Sequence, residues 1–316
     1  MTFAGFSQNI MIVLCGILGL LIVSSIIAFI LTKMKPEKDF TEINQRIKSW
    51  WIMAAVFTFA ILINRNISLI FLAFLCFLAF KEYLSLIPTN RAHRKILFWA
   101  YLAIPIQFLW IFIGWYGMFI IFIPVYMFLF LPIQMILIGE NKGFLRTMGS
   151  VHWGLMMMVF GLSHLAYLLV LPGTTGANAA DGAGLVLYIV ILTQCNDVAQ
   201  FIWGKLLGKH KVVPKVSPNK TWAGLIGGIL TTTALALLLA PLLTPFTLWS
   251  TLFSGSMIGL IGFIGDVNIS ALKRDLNIKD AGQTIPGHGG VLDRVDSLTY
   301  TAPLFFHFAR YFYFGG

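Results

Sequence analysis

Charge is what this sequence has least of. Asp, Glu, Lys and Arg make up 11% of its 316 residues, against about 25% in soluble domains. Apolar residues make up 58%, and the mean hydropathy is +0.86. That shortage excludes a water-soluble globular protein, because the bilayer must be the main solvent. Cysteine is nearly as scarce. Cys15, Cys76 and Cys195 all fall in apolar stretches, so they form no disulfide framework, and their spacing fits no zinc site. They read as small packing residues. There is no repeat of fixed period, no low-complexity tract, and no linker polar enough to set off a soluble domain. The first apolar run, Ile10 to Leu31, has no basic segment before it and is long enough to span. It reads as a membrane helix and not as a signal peptide.

What the chain does have is ten apolar segments, at roughly 9–32, 50–64, 67–87, 96–113, 117–138, 150–171, 185–203, 221–241, 248–266 and 297–314. The second is short for a spanning helix, which needs about 17–25 residues. Asn64-Arg65-Asn66 reads as a tight turn joining it to the third, and nine spans stay open if it does not cross. The expected fold is all-α: a polytopic membrane protein of about ten transmembrane helices. Trp50, Trp51, Trp99, Trp115 and Trp249 lie near span ends, as an aromatic belt predicts.

The few charges are unevenly spread. Twenty of the 22 basic residues fall in the alternate loops 33–48, 81–95, 139–149, 204–220 and 267–296, leaving Arg65 and Arg310 for the other side. Cytoplasmic loops are the Lys- and Arg-rich ones, so this side is expected to be cytoplasmic, with both termini outside. The loop 172–184 has no basic residue, as an exterior loop should. The formal net charge of +10 is then mainly a topology signal. Anionic headgroups and substrates are secondary partners, and nucleic acid is not expected.

The two halves differ in kind. Residues 1–184 read as an N-terminal transmembrane scaffold with an extra first helix. Residues 185–316 read as the catalytic transmembrane half, because acids enter or abut its spans. Small residues also recur there four apart, as Gly224 and Gly228 and as Gly255 and Gly259, a spacing that lets helices approach closely.

Residues 270–296, SALKRDLNIKDAGQTIPGHGGVLDRVD, concentrate eight charged side chains and a Gly-rich turn between two apolar segments. An anionic ligand, such as a phosphate held with a divalent cation at the membrane surface, explains that density best. Asp266 ends the ninth span. If the helix continues, Asp266, Ser270 and Lys273 share one face; the alternative is a capped end with a solvated face. The turn Pro286-Gly287-His288-Gly289-Gly290 feeds a resumed helical pattern, a setting that favours phosphate. His288 reads as a turn-stabilising or phosphate-binding residue, or as a general base. Asp293 and Asp296 are three apart on one helical face and, with Asp266, would bridge one or two hard cations. Asp197 lies within the seventh span, beside Asn196 and Gln200. It serves a ligand or metal, or pairs with a lysine of a neighbouring helix. The loop 204–220 holds five lysines and reads as a positive-inside loop. Its end is different: Ser217, Asn219, Lys220 and Thr221 offer helix-terminus donors and an ammonium to a phosphate. His93, His152, His164 and His307 fit no metal spacing and read as packing or interface residues.

The 270–296 stretch resembles the signature of the phosphatidate cytidylyltransferases, or CDP-diacylglycerol synthases: a Ser, a Lys-Arg pair, a Lys-Asp pair, Pro-Gly-His-Gly-Gly, then Asp-Arg-x-Asp. NDVAQFIWGKLLGK and VSPNKTWAGLIGG are similar to the family's upstream motifs, and Lys81-Glu82-Tyr83 is a faint echo of its early helix. The likeness covers roughly residues 190–316, and Gln200-Phe201 departs from the commoner Ala-Tyr pair. It implies a multi-pass bacterial inner-membrane enzyme with its site on the cytoplasmic face, joining CTP to phosphatidic acid to give CDP-diacylglycerol and pyrophosphate with Mg2+. A second cation and a homodimer are left open. By the family's pattern Asp266 and Asp293 would hold the metal, with Asp296 and Asp197 in support. Lys273, Arg274, Lys279, Lys220 and Arg294 would bind the triphosphate or lipid phosphate. Ser270, Asp280, Gly287, His288, Gly289, Gly290, Ser217 and Asn196 would complete the substrate contacts. Two other functions compete, a CTP-dependent lipid-alcohol kinase and a membrane transporter. A CDP-alcohol phosphotransferase is disfavoured, because its Asp-Gly-x-x-Ala-Arg pattern is absent.

Overall fold

The structure is a computed structural model that describes residues 8–34, 40–87, 94–139, 143–171, 182–278, 280–282, 284–285 and 289–315. Among them are ten helices: α1 (Gln8–Met34), α2 (Thr41–Ile63), α3 (Arg65–Leu86), α4 (Arg94–Ile113), α5 (Tyr116–Ile138), α6 (Phe144–Leu168), α7 (Gly182–Leu207), α8 (Trp222–Leu243), α9 (Leu248–Asp275) and α10 (Leu292–Tyr313). All except α2 and α10 are long and apolar enough to cross a membrane, by length and composition. The fold is that of an all-α polytopic membrane protein.

The second apolar segment, short in the sequence, belongs to a 23-residue helix. Thr41–Lys48, part of an expected basic loop, is already helical there. Asn64 joins α2 to α3 by itself: its backbone is extended and its Oδ1 caps α3 by accepting from Ile67 N at 2.9 Å. The ninth segment also runs on past Asp266 to Asp275, and the last begins early, at Leu292, which puts Asp293 and Asp296 on α10. The 204–220 loop holds a short antiparallel hairpin, β1 (Lys211–Val213) with β2 (Ser217–Thr221). Val212, Val213 and Val216 suit strands, and Pro214 opens the turn that the 3.1 Å bond from Val216 N to Val213 O closes.

Helices α5 and α6 each widen into a π-turn, over Phe122–Met127 and Leu155–Gly161. Pro124 lies in the first and supplies no amide donor, one cause of such slippage. After residue 182, α7 packs along α8, α8 along α9 and α9 along α10. The small residues do what their spacing suggests. A Cβ on Gly224 would lie 2.7 Å from Gln200 O, and one on Gly228 3.0 Å from Asn196 Oδ1. One on Gly255 would lie 2.8 Å from Thr233 Cα, and one on Gly259 2.9 Å from Ile229 Cα. Helix α10 runs through this packing and also contacts α3 and α6. Its acids are therefore held by protein, not lipid.

Candidate active site

The loops after α7 and after α9 leave the same end of the bundle, and there the C-terminal half of α7, β2, the end of α9 and the start of α10 meet. Asp266, on α9, forms an ion pair with Lys220 of β2, Oδ2 to Nζ 2.5 Å. One turn on, Ser270 Oγ donates to Asp266 Oδ1 at 3.3 Å. Lys220 also donates to Gln200 Oε1 at 2.9 Å and lies over the Phe263 ring, 5.4 Å from its centroid. Asp197 accepts from Ser297 Oγ at 3.2 Å, and the buried Asp296 accepts from Ser297 N at 2.7 Å. The fields of Asp197 and Asp266 both act on Asp296, and that of Asp266 acts on Asp197. Three carboxyl groups thus share one poorly solvated neighbourhood, where negative charge on all of them would cost free energy unless cations entered. Lys220 and Arg294 act on Asp197, and Lys273 acts on Asp296.

Asp293 makes its contacts elsewhere, although it shares a helix face with Asp296. Its Oδ1 pairs with Lys273 Nζ at 2.8 Å, and its Oδ2 accepts from Ala281 N at 2.9 Å and Gly290 N at 3.0 Å. Both oxygens are taken up in tying the 276–291 loop to α9 and α10. That loop closes with Ile285 N donating to Gly289 O at 2.8 Å, and Gly289 has φ +80°, a left-handed conformation that glycine adopts at no steric cost.

Of the remaining expected residues, Ser217 pairs in register with Val213, and Arg274 Nε donates to Val216 O at 3.3 Å, bracing the hairpin from α9. Asp280 is exposed beside Gly289. Asn196, expected among the substrate contacts, has no exposed surface (0%). Its Nδ2 donates to Gly259 O at 3.2 Å and its Oδ1 accepts from Thr232 Oγ1 at 3.1 Å, so its amide ties α7 to α8 and α9. Lys279, Gly287 and His288 lie outside the described residues. Of the four histidines expected to be packing or interface residues, His93 also lies outside them. His152 hydrogen-bonds Met148 O, and His164 is enclosed by Phe119, Phe160 and Phe306 with His307 beside it.

One important acid appears in the sequence only within the faint family echo Lys81-Glu82-Tyr83, with no role attached to it. Glu82 of α3 accepts from Thr284 Oγ1 at 2.5 Å and from Leu292 N at 2.8 Å. Val291 supplies no side-chain cap to α10, so Glu82 caps it from another helix and places a negative charge on its positive end. The available signal was an acid in the last turns of an apolar span.

Two donors in this region are buried without a protein partner among the described residues, Arg294 Nε and Gln200 Nε2. Both are groups that an anionic oxygen would satisfy. No three His, Cys, Asp or Glu side chains among the described residues stand close enough to cage a metal by themselves. Hard carboxylate oxygens sharing one neighbourhood nonetheless suit Mg2+, which is usually held by one or two carboxylates together with substrate phosphates and waters.

The chain is similar to known proteins along most of its length. It is 45% identical over 298 residues to "Uncharacterized protein YnbB" of Escherichia coli, covering 94% of this chain and 97% of that protein. It is 41% identical over 138 residues to the phosphatidate cytidylyltransferase of Haemophilus influenzae and 37% identical over 134 residues to that of Staphylococcus haemolyticus. Those matches cover 42% and 40% of this chain, and it spans about half the length of these two enzymes, 46% and 50%. Residues 44–312 match the cytidylyltransferase family, from the first turn of α2 to the last turn of α10, and so the chain belongs to that family of nucleotidyltransferases.

Proposed function

We propose that this protein is a CTP:phosphatidate cytidylyltransferase, working at the cytoplasmic face of a bacterial inner membrane with about ten spanning helices and both termini outside. The observation that carries the reading is the gathering of Asp197, Asp266 and Asp296 with Lys220, Lys273 and Arg294 at one end of the helices. Membrane location and family membership support it, as do the names of the two enzymes matched above. Twenty of 22 basic residues lie in loops on one side, the side on which a cytosolic nucleotide would arrive.

In the proposed reaction a phosphate oxygen of phosphatidic acid attacks the α-phosphorus of CTP. A new P–O bond forms, the bond from the α-phosphorus to the bridging oxygen breaks, and pyrophosphate leaves with that electron pair. No protein nucleophile is required, so the residues have to position and neutralise two anions. Lys220 and Lys273 bring ammonium groups into the acid-rich zone, and Arg294 brings a guanidinium with a free buried Nε. The backbone turn at 289–290, fixed by Asp293, presents small residues to a phosphate. Asp266 with one of Asp296 and Asp197 would hold the Mg2+ together with substrate phosphates and waters, Asp293 being committed to Lys273 and the loop amides, and the ion when bound supplies positive charge to the phosphate oxygens. Lipid tails would stay in the bilayer while the headgroup reaches the acids from the side.

The test uses the purified full chain in nanodiscs with α-labelled CTP and phosphatidic acid. Label should enter the lipid fraction with one pyrophosphate released per turnover, and EDTA should stop it. Release of labelled CDP with phosphorylation of a lipid alcohol would identify a kinase instead.

A further inference from the structure

We propose that a cavity between α3, α6 and α9 receives the base of the nucleotide and recognises it as cytosine. The proposal rests on the reaction proposed above and assigns residues that the acid cluster does not include. The cavity is an open groove of about 410 Å3, lined chiefly by Tyr83, Ser150, Trp153, Asn268, Leu272 and Asp275. Asn268 and Asp275 are seven apart on α9 and share a face. At 100° per residue that face points away from the one bearing Asp266, Ser270 and Lys273. Residues of the cavity wall nevertheless adjoin residues of the proposed phosphate site along two helices. Leu272 precedes Lys273, which holds Asp293. Tyr83 follows Glu82, which holds Thr284 and Leu292. Two separate helices therefore each carry, one residue apart, a side chain of the cavity wall and a side chain that binds residues flanking the Gly-rich turn or the start of α10.

Its chemistry suits a flat, polar-edged ring. The Tyr83 and Trp153 rings stand side by side, centroids 5.3 Å apart and tilted 36°. Tyr83 is held in place by its hydroxyl, which donates to Ser150 O at 2.8 Å. Asn268 Nδ2 is buried with no partner and the exposed Asp275 pairs with no cation, both among the described residues. Cytosine offers an exocyclic amino group as donor, with acceptors beside it on the same edge. Asp275 would accept from that amino group and Asn268 would donate to a ring acceptor, with the base against the Trp153 wall. Other occupants fit less well. Asp275 would repel a lipid phosphate, an acyl chain would leave Asn268 and Asp275 unpaired, and uracil would turn a carbonyl oxygen toward the carboxylate.

The experiment compares CTP and UTP as substrates of the full chain in nanodiscs at saturating phosphatidic acid. The wild type should prefer CTP. Asp275→Asn should raise KM for CTP about ten-fold and lower the CTP:UTP ratio of kcat/KM by about ten-fold or more, with kcat for CTP within about three-fold. Asp275→Ala should also lose discrimination, which keeps the test decisive should Asn disturb the helix end. Unchanged discrimination in folded variants of an enzyme that uses CTP overturns this proposal alone. A wild type that turns over no CTP overturns the reaction and this proposal together.

Discussion

The two halves of the molecule bury polar groups by different means. Up to Leu171 the buried polar side chains are neutral and lean on backbone carbonyls: Ser163 donates to Phe160 O at 2.8 Å and His164 Nδ1 contacts Phe160 O at 2.8 Å, both within α6, and Gln107 donates to Phe119 O of α5 at 3.1 Å. From Gly182 onward the buried or half-buried groups include Asp197, Asp266, Asp293 and Asp296. Their cationic partners come from other elements, Lys220 from β2 and Lys273 from α9, and Asp293 adds loop amides from 281 and 290, while Ser270 and Ser297 N serve Asp266 and Asp296 from the same helix. A neutral group satisfied one turn away needs nothing further to be stable. Several acids drawn into one neighbourhood oppose folding, and their retention is best explained by the anions and cation they would handle. The contrast does not follow the half boundary strictly. Asn196 is a structural amide inside the charged half, and Glu82 is a scaffold residue that reaches the site.

The sharpest way to break this comparison is to neutralise the acid that both its neighbours feel. Asp266→Asn should lower cytidylyl transfer by about 100- to 1,000-fold while the helix content by circular dichroism stays that of the wild type. Near-normal turnover would demote the cluster to a packing feature. Next in size is the pair that fixes the loop. Lys273→Ala and Asp293→Asn should each slow turnover by about ten- to a hundred-fold, and Lys273→Ala should also raise KM for CTP. Because the two side chains touch, the double variant should lose less than the sum, by about 0.5–3 kcal/mol of coupling. Strict additivity in a full double-mutant cycle would mean that the ion pair does not act as a unit.

Much of this was legible in the sequence, and the reasons are local. Hydropathy marks the spans because backbone in lipid must be helical, and the i, i+4, i+7 spacing of Asp266, Ser270 and Lys273 places them on one face whatever the tertiary structure. What was not legible depends on partners distant in sequence. Asp293 and Asp296 look equivalent three residues apart, yet one ties down a loop and the other faces two further acids. Thr41–Lys48 reads as loop because its charges resemble a basic connector, but a helix can carry them beyond the membrane. Glu82 stands in the sequence only as part of a faint family echo, since nothing nearby reveals that Thr284 and Leu292 will meet it. Glu82→Gln sharpens the boundary between the halves. It keeps the shape but removes the charge from the start of α10, at about 1 kcal/mol of stability. Turnover should fall about ten-fold, and the 276–291 segment should become more protease-sensitive. A normal rate with a more labile loop would separate capping from activity.

The smallest expected effect lies at His164, the buried scaffold residue that most resembles a functional group. It is fully buried (0%), ringed by Phe119, Phe160, Phe306 and His307, and its Nε2 has no partner among the described residues. An intramembrane histidine is a functional candidate by default, yet this one lies among aromatic rings and bonds backbone about one turn back. Replacing it by an apolar ring removes one hydrogen bond and one unsatisfied nitrogen together, two effects of opposite sign. His164→Phe should therefore change unfolding free energy by only about 1 kcal/mol in detergent and leave kcat within about two-fold. A large loss of turnover at unchanged thermal stability would show that the neutral half does more than hold the charged half in place.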